Sequence, residues 1–417
     1  MNAKMTRQAV WSIILLIAIS RAVMVLTGYM GMNLFASYTE APTYEQRAPG
    51  VVPDYSMNVP TDLADTRKPK LTDFVKFDSF AYLKIATRGY DAYRIDEPHP
   101  PANWVFFPLY PLLIFALGQV VGLGLLEPAV VGMIVSNACL AAAFFYIYRF
   151  AMGQGLSEGQ SRSVLVLMLA YPTSLFYSLP YTESLFLLLS AASLYYATNK
   201  RYALAFMAAS LSTVTRVPGF INLFFVVGSV LLNEGFRWNR RYWRWGLYAV
   251  LSLVPMGLYL LYMKRLTGDY LAPFHEQSLS WYRFTAAPFA NYVHYFEKPY
   301  FMAPGGWDNG FIAFIVSTLV FAVYLLYLIL GGKPFWRSSK QWLLWVYGAL
   351  LIVIPFSSQP WYLASVVRYM MVCIPLFLYV IKLTEKRDHV RFAILWVFLF
   401  LNAITTIAFF NDYYFMA

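Results

Sequence analysis

The residues best suited to chemistry lie in a short acidic and aromatic segment of an otherwise apolar chain. The stretch FDSFAYLKIATRGYD, residues 77–91, carries Asp78 between aromatic side chains, and NWVFFPLYPLL follows at 103–113. A carboxylate beside apolar, membrane-type sequence is costly unless it is paired or solvated, so Asp78 needs an explanation. The spacing of the apolar residues predicts a short interfacial helix over 77–90, ended by Gly89. At the start of such a helix Asp78 either caps the backbone and complements the helix dipole, or serves as a chemical group.

Other polar residues interrupt apolar runs farther along the chain. Taken singly, each is explained as a helix cap or as a cation that reaches the membrane surface along its stem. Together, several arginines and carboxylates on one face suit an anionic lipid headgroup that is rich in hydroxyls, because the planar guanidinium matches phosphate. Abundant aromatic rings could stack on sugars or simply pack. These further candidates are Glu183, Arg216, Arg368 and, in HEQSLSWYRF, Gln277, Trp281 and Arg283.

Several other kinds of chemistry lack their motifs. The sequence holds no GxxxxGK[ST] phosphate-binding loop and no GxSxG nucleophile elbow. His99 and His275 lie near acidic residues, but their spacing is not that of a metal site, and Cys139 and Cys373 form no CxxC motif. We therefore expect no bound metal and no cofactor.

Composition identifies the class of protein. Of 417 residues, 59% are hydrophobic and only 13% are charged, against roughly 25% charged in soluble domains. Long uncharged runs approach or exceed the ~20 residues that cross a bilayer, so we predict an all-α polytopic membrane protein with about 11–13 transmembrane helices. The first predicted span, 9–33, is interrupted only by Arg21 and is expected to stay uncleaved.

The basic residues predict the orientation of the chain. Its net charge of +11 is concentrated in clusters at 237–244, 332–340 and 385–391, which fits cytoplasmic loops better than a nucleic-acid surface. Two large polar loops, 36–105 and 265–309, then lie outside the cytoplasm as parts of one transmembrane catalytic domain spanning 1–417. The range 127–233 yields an odd number of predicted crossings, so either one segment is re-entrant or two short spans merge.

Six sequence blocks, in order from residue 77 to about 376, resemble the PIG-V-type mannosyltransferases, which have the GT-C fold and include the second mannosyltransferase of GPI-anchor synthesis. The blocks are FDSFAYLKIATRGYD, VFFPLYPLL, AYPTSLFYSLPYTESLFLLL, TVTRVPGF, TGDYLAPFHEQSLSWYRF and SVVRYMMVCIPLF. The fifth block resembles that of bacterial members, which favours a bacterial cytoplasmic membrane with an outward-facing site over an endoplasmic reticulum membrane with a lumenal one.

The resemblance implies a polyprenyl-phosphate sugar donor, a glycolipid or glycan acceptor, and a catalytic aspartate in the first outer loop. Carried onto this sequence, Asp78 becomes the general base of an inverting transfer. Three arginines would bind the donor phosphate. Six further residues would contact the sugar or the acceptor. The phosphate-binding residues are Arg216, Arg283 and Arg368, and the sugar- or acceptor-binding residues are Glu183, Gln277, Trp281, Tyr90, His99 and Asp91.

The chain also departs from the family pattern. The segment 36–76 has no counterpart that we recognise, GDYLAPF carries an additional proline, and Phe77 stands where the family usually has tryptophan. These departures leave the acceptor, the linkage and the sugar open, so another hexose is an alternative. A lipid-linked sugar flippase and a non-catalytic subunit are hypotheses of other classes. Transporter sites, however, are expected near the membrane midplane on broken helices.

Overall fold

The computed structural model describes residues 7–34, 68, 70–120, 126–235, 240–280, 283–297, 310–359, 363 and 365–411. Within these ranges almost all regular structure is α-helical. The helices are α1 (Arg7–Leu34), α2 (Asp78–Arg88), α3 (Leu109–Val120), α4 (Pro128–Gly153), α5 (Glu158–Ala170), α6 (Glu183–Thr198), α7 (Tyr202–Thr213), α8 (Gly219–Glu234), α9 (Arg240–Leu251), α10 (Val254–Thr267), α11 (Ala272–Leu279), α12 (Ala290–Glu297), α13 (Phe311–Leu330), α14 (Gly332–Trp336), α15 (Ser339–Val353), α16 (Val366–Met370), α17 (Ile374–Leu383) and α18 (Asp388–Phe410).

Six helical stretches among the described residues are long and apolar enough to cross a membrane. They are Arg7–Leu34, Pro128–Gly153, Arg240–Thr267, Phe311–Leu330, Ser339–Phe356 and Asp388–Phe410. The structure thus confirms an all-α polytopic membrane protein. Several of the 11–13 expected spans are instead shorter apolar helices of 10–17 residues, such as α3, α7, α8 and α17. In the part of 127–233 that the structure describes, α4 alone has the length of a full span.

Helix α6 is the centre of the bundle. It packs against α4, α7 and α8, and most of its side chains are buried on every face. A helix that is apolar all round belongs in the interior of a bundle. Because α6 begins at Glu183 and runs about 24 Å at 1.5 Å per residue, it places that carboxylate at one end of the packed core.

The last part of the first large polar loop is attached to the helix bundle by hydrogen bonds. Ile95 N–H donates to the Thr267 carbonyl over 3.1 Å, and the hydroxyl of Tyr259 donates to the Trp104 carbonyl over 2.7 Å. Leu109 N–H donates to the Val214 carbonyl over 3.0 Å. The chain around Trp104 is therefore held against α10 and against the turn that follows α7.

A two-stranded sheet, with two residues in each strand, joins the second large polar loop to the chain that follows α15. Strand β1 (Phe284–Thr285) pairs antiparallel with β2 (Ser358–Gln359), with Phe284 opposite Gln359. Arg283 directly precedes β1, so this pairing brings a loop arginine toward the polypeptide that leads into α16.

The turn between α7 and α8 requires a glycine. A Cβ atom added to Gly219 would overlap the backbone of Ser212 and Thr213 at the end of α7. Ser212 also donates its hydroxyl to the Gly219 carbonyl over 3.2 Å. The close approach holds the intervening residues, including Arg216, in one conformation.

Replacement of Gly219 by alanine is expected to separate α7 from α8 and lower the free energy of unfolding by about 1–3 kcal/mol or more. Gly257→Ala in α10 is the matched control, since nothing lies within 4 Å of an added Cβ there. Thermal unfolding of both variants in detergent measures the difference. A Gly219→Ala midpoint equal to that of Gly257→Ala would contradict the tight-turn interpretation.

Candidate active site

Residues from four distant parts of the chain meet in one buried ionic cluster. Arg368 Nη2 donates to Asp78 Oδ2 over 2.7 Å, and Arg368 Nε lies 3.2 Å from Glu183 Oε1. Arg216 Nη1 donates to the same Glu183 oxygen over 2.6 Å. The side chains of Glu183 and Arg368 are only 1% and 4% exposed, whereas that of Asp78 is 21% exposed. The structure therefore brings together four of the residues that the sequence singled out.

Asp78 does not cap α2. The N-cap position belongs to Phe77, and Asp78 is the first helical residue, with its carboxylate bonded to Arg368. The hypothesis of side-chain capping is therefore wrong, although a negative charge in the first turn still complements the helix dipole. The predicted helix is confirmed: it runs from Asp78 to Arg88, and Gly89 is its C-cap, as expected. Its position at the membrane interface stays a prediction.

The backbone immediately before Asp78 is strained. Phe77 has φ 54° and ψ −123°, values typical of the first central residue of a type II′ turn, where glycine is usual. The turn closes through Ser79 N–H, which donates to the Lys76 carbonyl over 3.2 Å. Such a conformation costs on the order of 1–3 kcal/mol and persists only where neighbouring contacts hold it.

Contacts with the end of α18 supply that support. Buried Lys76 donates from Nζ to the carbonyls of Phe409 and Phe410 over 3.0 and 3.1 Å, so its charge satisfies the last carbonyls of α18. The Phe77 ring packs edge-on against Phe409, with 5.9 Å between centroids. The Tyr181 hydroxyl donates to the Lys76 carbonyl over 2.7 Å. Asp78 is thus positioned from both sides of the turn.

Aromatic rings surround the buried Arg368 guanidinium. Its Cζ atom lies 5.2 Å from the ring centroid of Phe176, 5.3 Å from that of Tyr181 and 5.4 Å from that of Tyr369. Such contacts stabilise a desolvated cation. Arg368 Nη1 is buried and has no hydrogen-bond partner among the described residues. The guanidinium therefore keeps an unused donor beside the carboxylate that it binds.

An arginine in the long apolar helix α1, Arg21, supports the segment that carries Phe176 and Tyr181. Its Nη1 donates to the Ser174 carbonyl over 2.9 Å and to the Ser178 hydroxyl over 3.2 Å. Sequence reasoning treated Arg21 only as an interruption of the first span. Its long-range contacts show that it anchors the chain that runs into Glu183.

Arg283 joins the cluster through Tyr369. Arg283 Nη1 donates to the Tyr369 hydroxyl over 3.2 Å, and the Tyr369 ring also lies 5.0 Å from Cζ of Arg216. Tyr369 lies in α16, outside the helices long enough to span a membrane. Burial alone would raise the pKa of its phenol, but the positive charges of Arg283, Arg368 and Arg216 outweigh burial and lower that pKa to about 8. Sequence reasoning missed Tyr369, because an aromatic in an apolar run carries no signal of its own.

Two other predicted site residues, Tyr90 and Asp91, lie outside the ionic cluster. Tyr90 donates its hydroxyl to the Phe106 carbonyl over 2.6 Å. Asp91 pairs with Lys84 over 2.6 Å and accepts from the backbone N–H of Asn103 over 3.2 Å. The Tyr90 ring also lies 5.8 Å from that of Tyr259 and 6.0 Å from that of Tyr262, both in α10. None of these described contacts involves Asp78, Glu183 or the arginines of the ionic cluster, so the structure does not bring Tyr90 and Asp91 into it.

His99 lies in a second polar spot, next to Glu276. His99 Nε2 is 3.9 Å from Glu276 Oε2, and Glu276 Oε1 accepts from Ala102 N–H over 2.8 Å. Glu276 is fully buried, and sequence reasoning did not single it out. Its neighbour Gln277, which was predicted as a site residue, accepts a hydrogen bond from Arg283 N–H at its backbone carbonyl over 2.8 Å. Within the described residues no group of three or more His, Cys, Asp or Glu side chains could hold a metal. Trp281 lies outside the described residues.

Glu183→Gln is expected to lower the free energy of unfolding by about 3–5 kcal/mol, because it removes the counter-charge shared by two buried arginines. The control Glu158→Gln breaks an exposed pair with Arg162, 3.3 Å apart, and should cost no more than about 1 kcal/mol. Denaturation of both variants in detergent compares the two costs. Equal losses would mean that the buried network does not depend on the Glu183 charge.

Comparison with known proteins identifies the family. Residues 15–263, more than half of the chain, match the family model described as Mannosyltransferase (PIG-V). No curated protein and no solved structure matches the chain, so the GT-C architecture stays a prediction. Asp78, Glu183 and Arg216 lie inside the matched range, whereas Arg283 and Arg368 follow it. With its helices of membrane-spanning length, the chain belongs to the PIG-V mannosyltransferase family and is an integral-membrane glycosyltransferase.

Proposed function

We propose that this protein is an inverting mannosyltransferase that moves a sugar from a polyprenyl-phosphate donor to a lipid- or polymer-linked glycan. The observation that carries the proposal is the pairing of a partly exposed carboxylate, Asp78, with the buried, aromatic-lined Arg368 at the centre of a cluster of arginines. A base and an anion-binding group are thereby held side by side.

Asp78 has the contacts expected of a general base. Its Oδ2 is engaged by Arg368, whereas its Oδ1 has no hydrogen-bond partner among the described residues. In the proposed reaction an acceptor hydroxyl donates its proton to Asp78 as its oxygen attacks the anomeric carbon. The bond from that carbon to the phosphate oxygen breaks on the opposite face, so the anomeric configuration inverts. General-base assistance of this kind contributes roughly 10²–10⁴-fold.

The charge of the cluster suits a phosphodiester donor. Three arginines, Arg216, Arg283 and Arg368, face two carboxylates, Asp78 and Glu183, so their formal charges sum to +1, which matches the single negative charge of a polyprenyl-phosphate sugar. When the donor bond breaks, the leaving lipid phosphate gains negative charge, since a phosphomonoester has a second pKa near 6. Proton uptake neutralises Asp78 at that moment and raises the charge of the cluster to +2. Arg368, bonded to Asp78 and with Nη1 unused, would couple the two events.

Glu183 has a different part in this scheme from the one that the resemblance implied. Glu183 is almost fully buried, accepts a hydrogen bond from Arg216 and forms an ion pair with Arg368. We therefore assign it to holding those arginines rather than to contacting a sugar hydroxyl. Gln277 remains a candidate for the sugar.

The arrangement of basic residues supports a site on the extracytoplasmic side. The proposed membrane is the bacterial cytoplasmic membrane, on the resemblance of TGDYLAPFHEQSLSWYRF to bacterial members. Helix α8 begins beside Arg216 and ends just before the basic stretch 237–244, while α17 follows Arg368 and ends just before the basic stretch 385–391. Along the chain, one helix separates each basic stretch from the ionic cluster. Lys and Arg are enriched in cytoplasmic loops, so the cluster belongs on the other side.

Replacing Asp78 by asparagine should lower transfer at least about a hundredfold, because the amide cannot accept the acceptor proton. The measurement is transfer by the purified protein from polyprenyl-phosphate mannose into a membrane lipid extract. Asp96→Asn is the matched control, since Asp96 pairs with Arg94 on the exposed surface of the same loop.

Equal turnover by wild type and Asp78→Asn would remove Asp78 as the base. Absence of transfer by folded wild type, with movement of the lipid-linked sugar across vesicles, would instead favour a flippase.

A further inference from the structure

The three arginines of the cluster differ in how their charges are compensated. Arg216 is bonded to Glu183, and Arg368 is bonded to Asp78 and lies beside Glu183. Arg283 has a single side-chain hydrogen-bond partner among the described residues, the neutral hydroxyl of Tyr369, 3.2 Å from its Nη1. Of the three arginines, Arg283 is therefore the one whose positive charge is least compensated by carboxylates among the described residues.

Tyr369 contacts all three cations with one ring. Its ring centroid lies 5.0 Å from Cζ of Arg216, 5.5 Å from that of Arg283 and 5.4 Å from that of Arg368. The electron-rich face attracts each guanidinium, whereas the guanidiniums repel one another. A shared ring therefore lets three like charges gather without a third carboxylate that would cancel the net charge.

Arg283 and Tyr369 lie in different surroundings. It precedes the two-residue strand β1, and its backbone N–H donates to the Gln277 carbonyl over 2.8 Å. The adjacent strand residue Phe284 is exposed. Tyr369, by contrast, lies on α16 between the buried residues Arg368 and Met370. Tyr369 thus offers the Arg283 side chain a hydrogen-bond acceptor on a buried helix.

We infer that Tyr369 is a positioning residue that holds Arg283 ready to bind the phosphate of a lipid-linked substrate. The inference rests on the proposed function only in taking that anion to be a polyprenyl phosphate. Tyr369 accepts a hydrogen bond from Arg283 and leaves its positive charge available, as no carboxylate in that place could. Affinity for the anion therefore depends on the Tyr369 hydroxyl through Arg283.

Binding of undecaprenyl phosphate to the purified full chain in detergent tests this inference without requiring turnover. Wild type should bind undecaprenyl phosphate more tightly than undecaprenol, which has the same chain and no phosphate. Tyr369→Phe keeps the ring and removes the hydroxyl, and it should weaken phosphate binding about tenfold, the typical worth of a hydrogen bond to a charged group. Binding of undecaprenol should not change.

A double-mutant cycle separates positioning from a general structural effect. Arg283→Gln should weaken binding of undecaprenyl phosphate at least as much as Tyr369→Phe, and adding Tyr369→Phe to Arg283→Gln should cost little more. The control Tyr202→Phe also removes a hydroxyl, one that donates to Glu234 at the opposite end of α8, and should leave binding unchanged. In transfer assays Tyr369→Phe should raise KM for the donor by a larger factor than it lowers kcat.

Three results would overturn the inference: wild-type binding by Tyr369→Phe, additive losses in the double variant, or equal binding of the phosphate and the alcohol by wild type. Coupled losses in binding by a protein that transfers no sugar would leave the role of Tyr369 intact and reject only the proposed function.

Discussion

The hydrogen bond between Arg368 and Asp78 is the contact on which the rest of the site depends. A buried guanidinium is costly, and here two carboxylates and three aromatic rings offset that cost. The same contact leaves Oδ1 of Asp78 without a hydrogen-bond partner among the described residues. Two nitrogens of Arg368, Nε and Nη1, also have no hydrogen-bond partner there, although Nε lies 3.2 Å from Glu183 Oε1. The free oxygen of Asp78 and the free donor Nη1 of Arg368 are together suited to a ligand that brings both a hydroxyl and an anion.

Much of the surrounding fold keeps this contact in place. Lys76 bonds the end of α18, the strained Phe77 follows it, and Arg21 anchors the chain that leads to Glu183. None of these three residues is itself one of the charged members of the ionic cluster. Strain before a functional residue persists only where neighbouring packing determines it, and α18 provides that packing.

Tyr369 illustrates how a neutral residue can shape an electrostatic site. Carboxylates gather arginines but cancel their charge, whereas an aromatic ring gathers them and leaves it. The cluster contains both kinds of contact, with carboxylates and with an aromatic ring, so its arginines are held together and it keeps a net positive charge. An anion of low charge can therefore bind without displacing an internal ion pair.

The sequence by itself determined the class of the protein, the helix that begins at Asp78, and the residue types that form the cluster. Apolar length, turn residues and isolated charges are local signals, and these predictions depend on local signals. Only the tertiary structure decided that Asp78 bonds Arg368 instead of capping its helix. It likewise decided that Glu183 pairs with Arg216 and Arg368, and that Tyr90 and Asp91 bond to residues 103–106 outside the ionic cluster. Those outcomes depend on contacts between residues as far apart as 78 and 368, and helical spacing carries no information about which distant partners will meet.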